Sequence, residues 1–533
     1  MCNAGIPKPR HRHGQVPVFR LGARPIIAQS RSTRRQAIIN QTSAASAAAS
    51  DVSAPARVPT PSSDRWLADT LQACEVQSPP MTSNDQQGFL QALNAASRQT
   101  LESGLSRLPT TRDEEYRFTD ISPLLQRPLK RPQLQPGATT NSCIAAAIRQ
   151  HQMKQQLTAS IVLIDGILSQ EHSKVMAEEK GGVYVGSLAD APPDVVQFAL
   201  GSQSKARGGP FATLNGALAQ DAVLVYVPAN RTLVHPIHIL HLAPPSVATA
   251  GDSNAHNVRT VSAPRLLVVL EEGSAAEVVE EFAAVNMGGS DSSASQENEQ
   301  GAYFVTSVTE CELDDGSELQ HRYVQLEATV DAIHFKSTLV TQGSQSRYAL
   351  TEARLGGSMS RHDVDIQQVG PETETSMRSF LLAGASQLQD LHSKLRLDHP
   401  QGVAQQLHKC IAIDATSRGV FDGNVRVGRR AQKTDAQQLS RNLLLVPRAT
   451  VNVKPNLQII ADDVKCTHGC TVSDLEENEL FYLRSRGIDE TSARRVLVYS
   501  FGREVVYGLR DEELLNRVEV AASKALTKSA ALL

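Results

Sequence analysis

The sequence has no long hydrophobic run, few aromatic residues and little net charge. No window approaches the 18 consecutive apolar residues of a membrane-spanning helix, so we expect no membrane partner. A single tryptophan and an aromatic content of 4% argue against a surface on which nucleic-acid bases stack. The formal net charge of −3 gives no electrostatic reason to expect a nucleic-acid partner either.

Sequence signatures of nucleotide binding and of nucleophilic catalysis are also missing. There is no G-x-x-x-x-G-K-[ST] loop, no G-x-G-x-x-G at a strand–helix junction and no G-x-S-x-G elbow. Seven cysteines at irregular spacings do not make a disulfide framework, and they favour a reducing compartment. We therefore expect that the chain is not an enzyme, and that any ATP-driven step involving it needs a separate ATPase.

The first fifty residues contain no acidic residue, and Asp51 is the first one. Arginine supplies much of the charge, and serine, threonine and alanine fill much of residues 30–50. This composition is typical of an organellar transit peptide, because such peptides are rich in arginine and serine and poor in acidic residues. We predict a disordered transit peptide over residues 1–55 and a mature chain that starts between residues 40 and 65. A disordered basic tail is the alternative.

The rest of the chain divides into three predicted domains. Residues 64–200 predict a mainly helical N-terminal domain with loops. Residues 205–465 are short alternating runs separated by Gly-Ser or Asp-Gly turns, which is typical of successive strands. Residues 466–533 predict a C-terminal helical domain.

The spacing of turn glycines in the strand-rich region favours a solenoid. Glycines at 273, 316, 357 and 384 are separated by 43, 41 and 27 residues, close to multiples of 14. We therefore expect solenoid coils of about that length. Two polar insertions, Ala248–Asn257 and Gly288–Gly301, are interpreted as flexible surface loops.

The most informative stretch is Ala461–Gly487. Its first half lacks a helical period and predicts a strand, in which Cys466, His468 and Cys470 share one face. Thiols and imidazole are soft ligands suited to zinc, copper(I) or iron–sulfur chemistry. Positions 466 and 470 would lie about 13 Å apart, so the three side chains cannot close on one ion. At most two could share a metal, with open positions left for another chain.

Three helices are predicted after this strand. Ser473 followed by Glu476 is a capping-box pattern, which predicts a helix over Asp474–Arg486 that ends at Gly487. The other two helices are predicted by apolar spacing and by end signals, over Glu490–Phe501 and from near Asp511.

Four segments resemble the SufD family, whose members are scaffold subunits of the SUF iron–sulfur cluster assembly complex. They are RLPTTRDEEYRFTDISPLL, FATLNGALAQDAVLVYVPANRTLVHPIHI, FDGNVRVGRRAQKTDAQQLSRNLLL and KPNLQIIADDVKCTHGCTVSDLEENELFYLRSRGI. The resemblance covers roughly residues 85–525. It implies a mainly β fold, a right-handed parallel β-helix core flanked by an N-terminal and a C-terminal helical domain. The paralogous SufB scaffold shares this architecture and is an alternative.

The resemblance also implies partners and sites. The chain would pair with a SufB-like scaffold, and a nascent iron–sulfur cluster would form at the interface, held transiently by His468 and Cys466 together with the partner. No cofactor would be permanently bound. A SufC-like ATPase would dock on the C-terminal helices, with Leu480, Tyr482, Leu483 and Arg484 as contacts. The family's eukaryotic location points to the chloroplast stroma. Cys470 stands where a small residue is expected, so no role for it is inherited.

Other interpretations remain open at this point. Cys466 and His468 could be structural, as a buried thiol and an imidazole bonded to a backbone carbonyl. A β-helix enzyme acting on carbohydrates would need clustered carboxylates, for which Asp363 and Asp365 are the candidate pair. A metal-storage or zinc-stabilised protein is disfavoured because four ligands do not come together.

The remaining histidines and cysteines are assigned mainly structural roles. Three histidines at spacings of three, in a segment with a proline and β-branched neighbours, are interpreted as edge or core residues: His235, His238 and His241. Cys311 and Cys410 are predicted to be buried small hydrophobes. Three further histidines could hold iron transiently: His362, His392 and His399.

Overall fold

The computed structural model describes residues 62–75, 86–132, 138–178, 182–243, 258–285, 302–327 and 331–527. The predicted transit peptide and the predicted loops Ala248–Asn257 and Gly288–Gly301 lie outside the described residues. Among those residues, no helix is both long and apolar enough to cross a membrane.

Helices stand at both ends of the described chain, and strands fill its middle. The helices are α1 Ser63–Ala73, α2 Gln86–Glu102, α3 Ser122–Leu125, α4 Ala138–His151, α5 Pro193–Ala199, α6 Ser204–Arg207, α7 Pro210–Leu218, α8 Glu477–Ser485, α9 Glu490–Val506 and α10 Glu512–Thr527. The strands are β1 Leu129–Lys130, β2 Ala159–Ile164, β3 Ile167–Leu168, β4 Met176–Ala177, β5 Tyr184–Ser187, β6 Val223–Val227, β7 Ile237–Ala243, β8 Arg259–Ser262, β9 Arg265–Leu270, β10 Ala275–Ala284, β11 Tyr303–Leu313, β12 Glu318–Glu327, β13 Ile333–Gln342, β14 Arg347–Gly356, β15 Met359–Gln368, β16 Glu374–Ala383, β17 Leu388–Leu397, β18 Val403–Ala412, β19 Arg418–Val427, β20 Asp435–Leu444, β21 Thr450–Ile459 and β22 Lys465–Ser473.

Two stacked sheets form a parallel β-helix. One sheet, here called sheet A, follows the order β21-β19-β17-β15-β13-β11-β9-β6, and the other, sheet B, follows β22-β20-β18-β16-β14-β12-β10-β7. From β9 onwards, consecutive strands alternate between the sheets, and the pairings within this core are parallel. The predicted mainly β fold, with a parallel β-helix core and helices on either side, is confirmed.

The length of a coil differs from the sequence prediction. The strands of sheet A begin 26 to 32 residues apart, at Tyr303, Ile333, Met359, Leu388, Arg418 and Thr450. The predicted length of about 14 residues is therefore wrong for a coil, because it corresponds to one strand with its turn and each coil contains two strands.

Alternation along the strands separates an interior core from two outer cores. Inward side chains such as Val268, Val340 and Leu395 pack inside the coils. The outer face of sheet A is covered by N-terminal helices through residues such as Phe211 and Phe335. The outer face of sheet B is covered by α9 and α10. Helices thus cover both outer faces of the β-helix.

The interior also contains a column of polar side chains, at matching positions of successive sheet B strands. Strand register places seven residues in this column: Glu280, Tyr323, Glu352, Ser379, His408, Ser440 and Cys470. The first six are fully buried, and Cys470, on the last strand, is exposed. The column therefore leads from β10, near the N-terminal end of the β-helix, to its final coil.

A buried carboxylate on the outer face of sheet B joins three parts of the fold. Glu281 accepts hydrogen bonds from Arg517 of α10 at 2.9 and 3.0 Å. Its oxygens also lie 2.8 Å from His151 Nδ1 and 3.2 Å from His238 Nε2. Burial raises the pKa of Glu281, but His151 and His238 outweigh burial and hold that pKa well below its usual range. This cluster fixes α4 and α10 on the β-helix.

The first C-terminal helix begins later than the sequence predicts. Strand β22 runs to Ser473, and α8 starts at Glu477 with Glu476 as its N-cap, without a side-chain cap. The predicted capping box at Ser473 is therefore wrong, since backbone pairing to β20 keeps Ser473 extended. The second helix runs past Phe501 to Val506, and the third begins as expected, with Asp511 Oδ1 accepting from Leu514 N–H.

Candidate functional site

The last coil of the β-helix ends in two unpaired edges. Strand β21 is the terminal strand of sheet A, and β22 is the terminal strand of sheet B. Most of their residues are exposed or half-buried, whereas the strands before them are largely buried. Within the described part of the chain, neither edge pairs with a further strand. Such edges are templates for pairing with another chain.

The three soft side chains of β22 lie on its inner face at this open end. Register pairs Cys466 with Ala436, His468 with Gln438 and Cys470 with Ser440. Cys466 is half-buried and packs against the interior core, and His468 and Cys470 are exposed. The three therefore line the mouth of the β-helix on one face.

The two thiols are not activated in this chain alone. Burial raises the pKa of Cys466, although the backbone at Ala436 lowers it slightly, and burial raises the pKa of Cys470. Both are therefore mostly protonated at neutral pH, and only a thiolate binds metal strongly. A cation or metal brought by another chain would be needed to favour the thiolate.

No complete metal site forms in the described ranges. Within them, no three His, Cys, Asp or Glu side chains come together in a way that could hold a metal ion. An extended strand separates residues 466 and 470 by about 13 Å, which is too far for shared coordination. The inner face of β22 can thus supply part of a soft ligand set only.

The other candidate ligands and acids have structural partners. Cys311 and Cys410 are fully buried, as predicted. His362 is buried between Glu352 and Thr338, and His392 lies beside Asp390. Asp363 pairs with Arg361, and Asp365 pairs with Arg207 and Arg396. Since both carboxylates are held by arginines, this pair gives no support to a carbohydrate-cleaving site.

Helix α8 is the part of the C-terminal region that packs least. None of its residues is buried, and it follows β22 after three residues. Tyr482 is 57% exposed, Arg484 forms an exposed pair with Glu490 at 3.5 Å, and Leu480 and Leu483 are half-buried. Sequence reasoning missed Phe481, which is 72% exposed beside Tyr482.

Helices α9 and α10, in contrast, are bound firmly to sheet B. Lys409 donates to Phe501 O at 2.9 Å and pairs with Glu504 of α9. A Cβ at Gly502 would lie 2.9 Å from the Phe380 ring, so glycine permits close packing of α9 on the sheet. The exposed helix next to the soft ligands is therefore α8.

Comparison with known proteins places the chain in a family. Residues 251–501 match the model of the "SUF system FeS cluster assembly, SufBD core domain", and residues 81–239 match the "SufBD protein N-terminal region". The chain is 38% identical to protein ABCI7, chloroplastic, of Arabidopsis thaliana, over 84% of this chain and 86% of that protein.

Two bacterial relatives agree with this assignment. An iron–sulfur cluster assembly SufBD family protein of Synechocystis is 35% identical over 76% of this chain and 84% of its own length. The iron–sulfur cluster assembly protein SufD of Escherichia coli is 27% identical over 79% of this chain and 89% of its own length. The chain therefore belongs to the SufBD family of iron–sulfur cluster assembly proteins and is SufD-like.

Proposed function

We propose that the chain is a non-catalytic scaffold subunit of a SufBCD-type complex, paired with a SufB-like scaffold through its open end. The observation that carries this proposal is the terminal coil, in which two unpaired edge strands frame soft ligands at the mouth of the β-helix. A partner bound there would bury the edges and bring further ligands to an incomplete set.

The iron–sulfur cluster is the cargo of this site, held transiently between the two chains. His468 serves as an imidazole ligand, since its side chain is exposed at the open mouth of the β-helix. Cys466 serves as a second ligand after it loses its proton, which nearby metal favours. No cofactor is permanently bound to the chain.

The ATPase of the complex, a SufC-like subunit, docks on the C-terminal helices. Helix α8 supports this assignment because it exposes Phe481 and Tyr482 and buries no residue of its own. Leu480, Leu483 and Arg484 complete the contact surface. An ATPase bound to α8 would lie three residues from the end of β22, next to the predicted ligands.

We place this complex in the chloroplast stroma, reached by a cleaved transit peptide. The basic, acid-poor first fifty residues and the similarity to a chloroplastic relative support this location.

Replacing the predicted ligands should remove the iron–sulfur cluster from the interface without dissociating the complex. In co-purified complex reconstituted anaerobically, His468→Ala is expected to lower iron and sulfide content about tenfold. The reason is that mutation of a residue in the outer shell of a metal site already lowers metal affinity by about tenfold or more, and His468 would be a direct ligand. Cys466→Ser should give a smaller loss in the same direction. Size exclusion reports complex integrity. Thr467→Ala, on the opposite face of β22, is the matched control. Iron and sulfide contents equal to those of the native complex in both ligand variants would show that His468 and Cys466 are structural.

Replacing the exposed aromatic of α8 should weaken ATPase binding. Phe481→Asp is expected to lower affinity for the SufC-like subunit by about tenfold or more, since aromatic anchors dominate binding energy at interfaces. Titration calorimetry on the purified chain measures the effect. Val520→Asp on α10 changes a similarly exposed residue and should bind as the native chain does. Equal affinity of the native chain, Phe481→Asp and Val520→Asp for the SufC-like subunit would show that α8 is not part of the docking surface.

A further inference from the structure

A row of inward-facing side chains leads along sheet B to His468, beside the column that ends at Cys470. The strand register places seven residues in this row: Val278, His321, Leu350, Met377, Gln406, Gln438 and His468. Apolar side chains at Leu350 and Met377 are followed by two glutamines just before His468. Because a buried amide costs free energy unless it is hydrogen-bonded, these two glutamines require partners inside the β-helix.

The two glutamines reach across the interior from sheet B towards sheet A. Gln406 Nε2 donates to Ser393 Oγ at 2.6 Å, and Gln438 Nε2 donates to Gln406 Oε1 at 2.8 Å. Gly423 leaves room for the second amide, because a Cβ at Gly423 would lie 2.9 Å from Gln438 Cδ. Both glutamines are buried. This chain of hydrogen bonds therefore holds the Gln438 amide in one orientation.

The carbonyl oxygen of the Gln438 amide lacks a donor. Among the described residues, none donates a hydrogen bond to Gln438 Oε1, although this atom is buried. Since Nε2 points back to Gln406 and the two atoms diverge from the same carbon, Oε1 is turned away from Gln406. The neighbour of Gln438 on that other side is His468 of β22. A buried acceptor without a donor costs free energy, and an N–H of the His468 ring would remove this cost.

We propose that Gln438 is a positioning residue, whose Oε1 accepts the N–H of one ring nitrogen of His468 and leaves the other nitrogen for iron. This inference rests on the proposed function, in which His468 is a ligand of the cluster. A histidine that binds metal generally donates its second ring N–H to an oxygen acceptor, which fixes the tautomer and the orientation of the ring. His468 is exposed at the mouth of the β-helix, so burial does not fix its ring, and Gln438 supplies the acceptor from the buried side.

The tautomer of His468 tests the proposal in the free chain, without iron. NMR of the full-length chain with isotope-labelled histidine rings, at about pH 8 where an exposed imidazole is neutral, measures the ratio of the two tautomers. We expect Gln438→Met to change this ratio about fivefold, the factor that a typical net hydrogen bond gives. His468→Ala identifies the resonances. Gln437→Met, at an exposed position of the same strand, is the matched control and should keep the native ratio. An unchanged ratio in Gln438→Met would overturn the proposal.

Iron loading of the co-purified complex tests whether Gln438 acts through His468. In anaerobic reconstitution with Fe²⁺ and sulfide, Gln438→Met is expected to raise the iron concentration at half-loading about tenfold, the usual cost of removing a hydrogen-bond partner of a metal ligand. In a His468→Ala background, the same substitution should change this concentration less than about twofold, because the side chain that Gln438 orients is absent.

A second variant weakens the support of the Gln438 amide without removing it. Gln406→Met removes the acceptor of the Gln438 N–H and should change the tautomer ratio and the half-loading concentration in the same direction as Gln438→Met, but less. Circular dichroism and thermal unfolding establish that each variant is folded, and size exclusion establishes that each complex is intact.

The outcomes separate the inference from the function on which it rests. Iron loading that His468→Ala leaves unchanged would refute the proposed function and the inference with it. Loading that His468→Ala weakens and Gln438→Met leaves unchanged would refute the role of Gln438 alone. Equal losses from Gln438→Met with and without His468 would also overturn the inference, because Gln438 would then act on the fold and not through the ligand.

Discussion

Lys336→Met is expected to lower the free energy of unfolding by about 3–5 kcal/mol, the usual cost of breaking a buried ion pair from one side. Lys336 is fully buried inside the β-helix, with its Nζ 2.9 and 3.1 Å from the two carboxylate oxygens of Glu280. It also donates to Thr309 Oγ1 at 2.7 Å and lies over the ring of Tyr323. Methionine preserves most of the volume and removes the charge, so Glu280 is left as a buried carboxylate without its cation.

The state of Glu280 explains the size of this loss. Burial raises the pKa of Glu280, but Lys336, His241 and His321 outweigh burial and hold that pKa well below its usual range. Without Lys336 the carboxyl must either remain charged with weaker partners or take up a proton. Both alternatives cost free energy relative to the native pair.

A double-mutant cycle distinguishes the lost pair from lost packing. Glu280→Gln combined with Lys336→Met removes both charges, and the double variant should be more stable than the sum of the single losses implies. Denaturant unfolding followed by circular dichroism measures each step. A loss below about 1 kcal/mol for Lys336→Met, or additive losses in the double variant, would show that the buried pair contributes little.

The β-helix itself was predictable, but its polar interior was not. Alternating short runs and turn residues indicate strands, and the family resemblance indicates how the strands are stacked. Alternation does not reveal that Glu280 and Glu281 are both buried, one inside the coils and one beneath α10. A charged residue in a strand normally predicts a solvated face, and burial here depends on partners from distant parts of the chain.

The candidate site, too, was predictable from the sequence only in part. The shared face of Cys466, His468 and Cys470 follows from strand alternation alone. Their position at a free edge depends on β22 being the last strand of its sheet. The sequence pattern predicts the end of the strand region only approximately. The start of α8 was misplaced because pairing to β20 outweighs a local capping pattern. Phe481 was missed because exposure of an aromatic residue depends on what packs around its helix.

Acidification from pH 6.5 towards pH 4 is expected to destabilise the fold steeply. Burial lowers the pKa of His362 to about 4, partly opposed by Glu352, and lowers the pKa of His408 to about 3. Burial also lowers the pKa values of His241 and His334. In the unfolded chain these imidazoles titrate near pH 6.5. Between pH 6.5 and pH 4 the unfolded chain therefore binds protons that the folded chain does not bind at His362 and His408. The free energy of unfolding falls by about 1.4 kcal/mol per pH unit for each of these two histidines.

His408→Phe isolates one contribution to this slope. The ring of His408 stacks on Phe421 with centroids 4.3 Å apart, so a phenyl ring fits the same contact without a titrating group. We expect the variant to lose about 1.4 kcal/mol per pH unit of slope between pH 6 and pH 4, measured by denaturant unfolding across that range. Ser440→Ala is the matched control, because it removes the 3.0 Å hydrogen bond to His408 Nδ1 and keeps the imidazole. If the two variants had the same slope as the native chain, neutral burial of His408 would not contribute to acid lability.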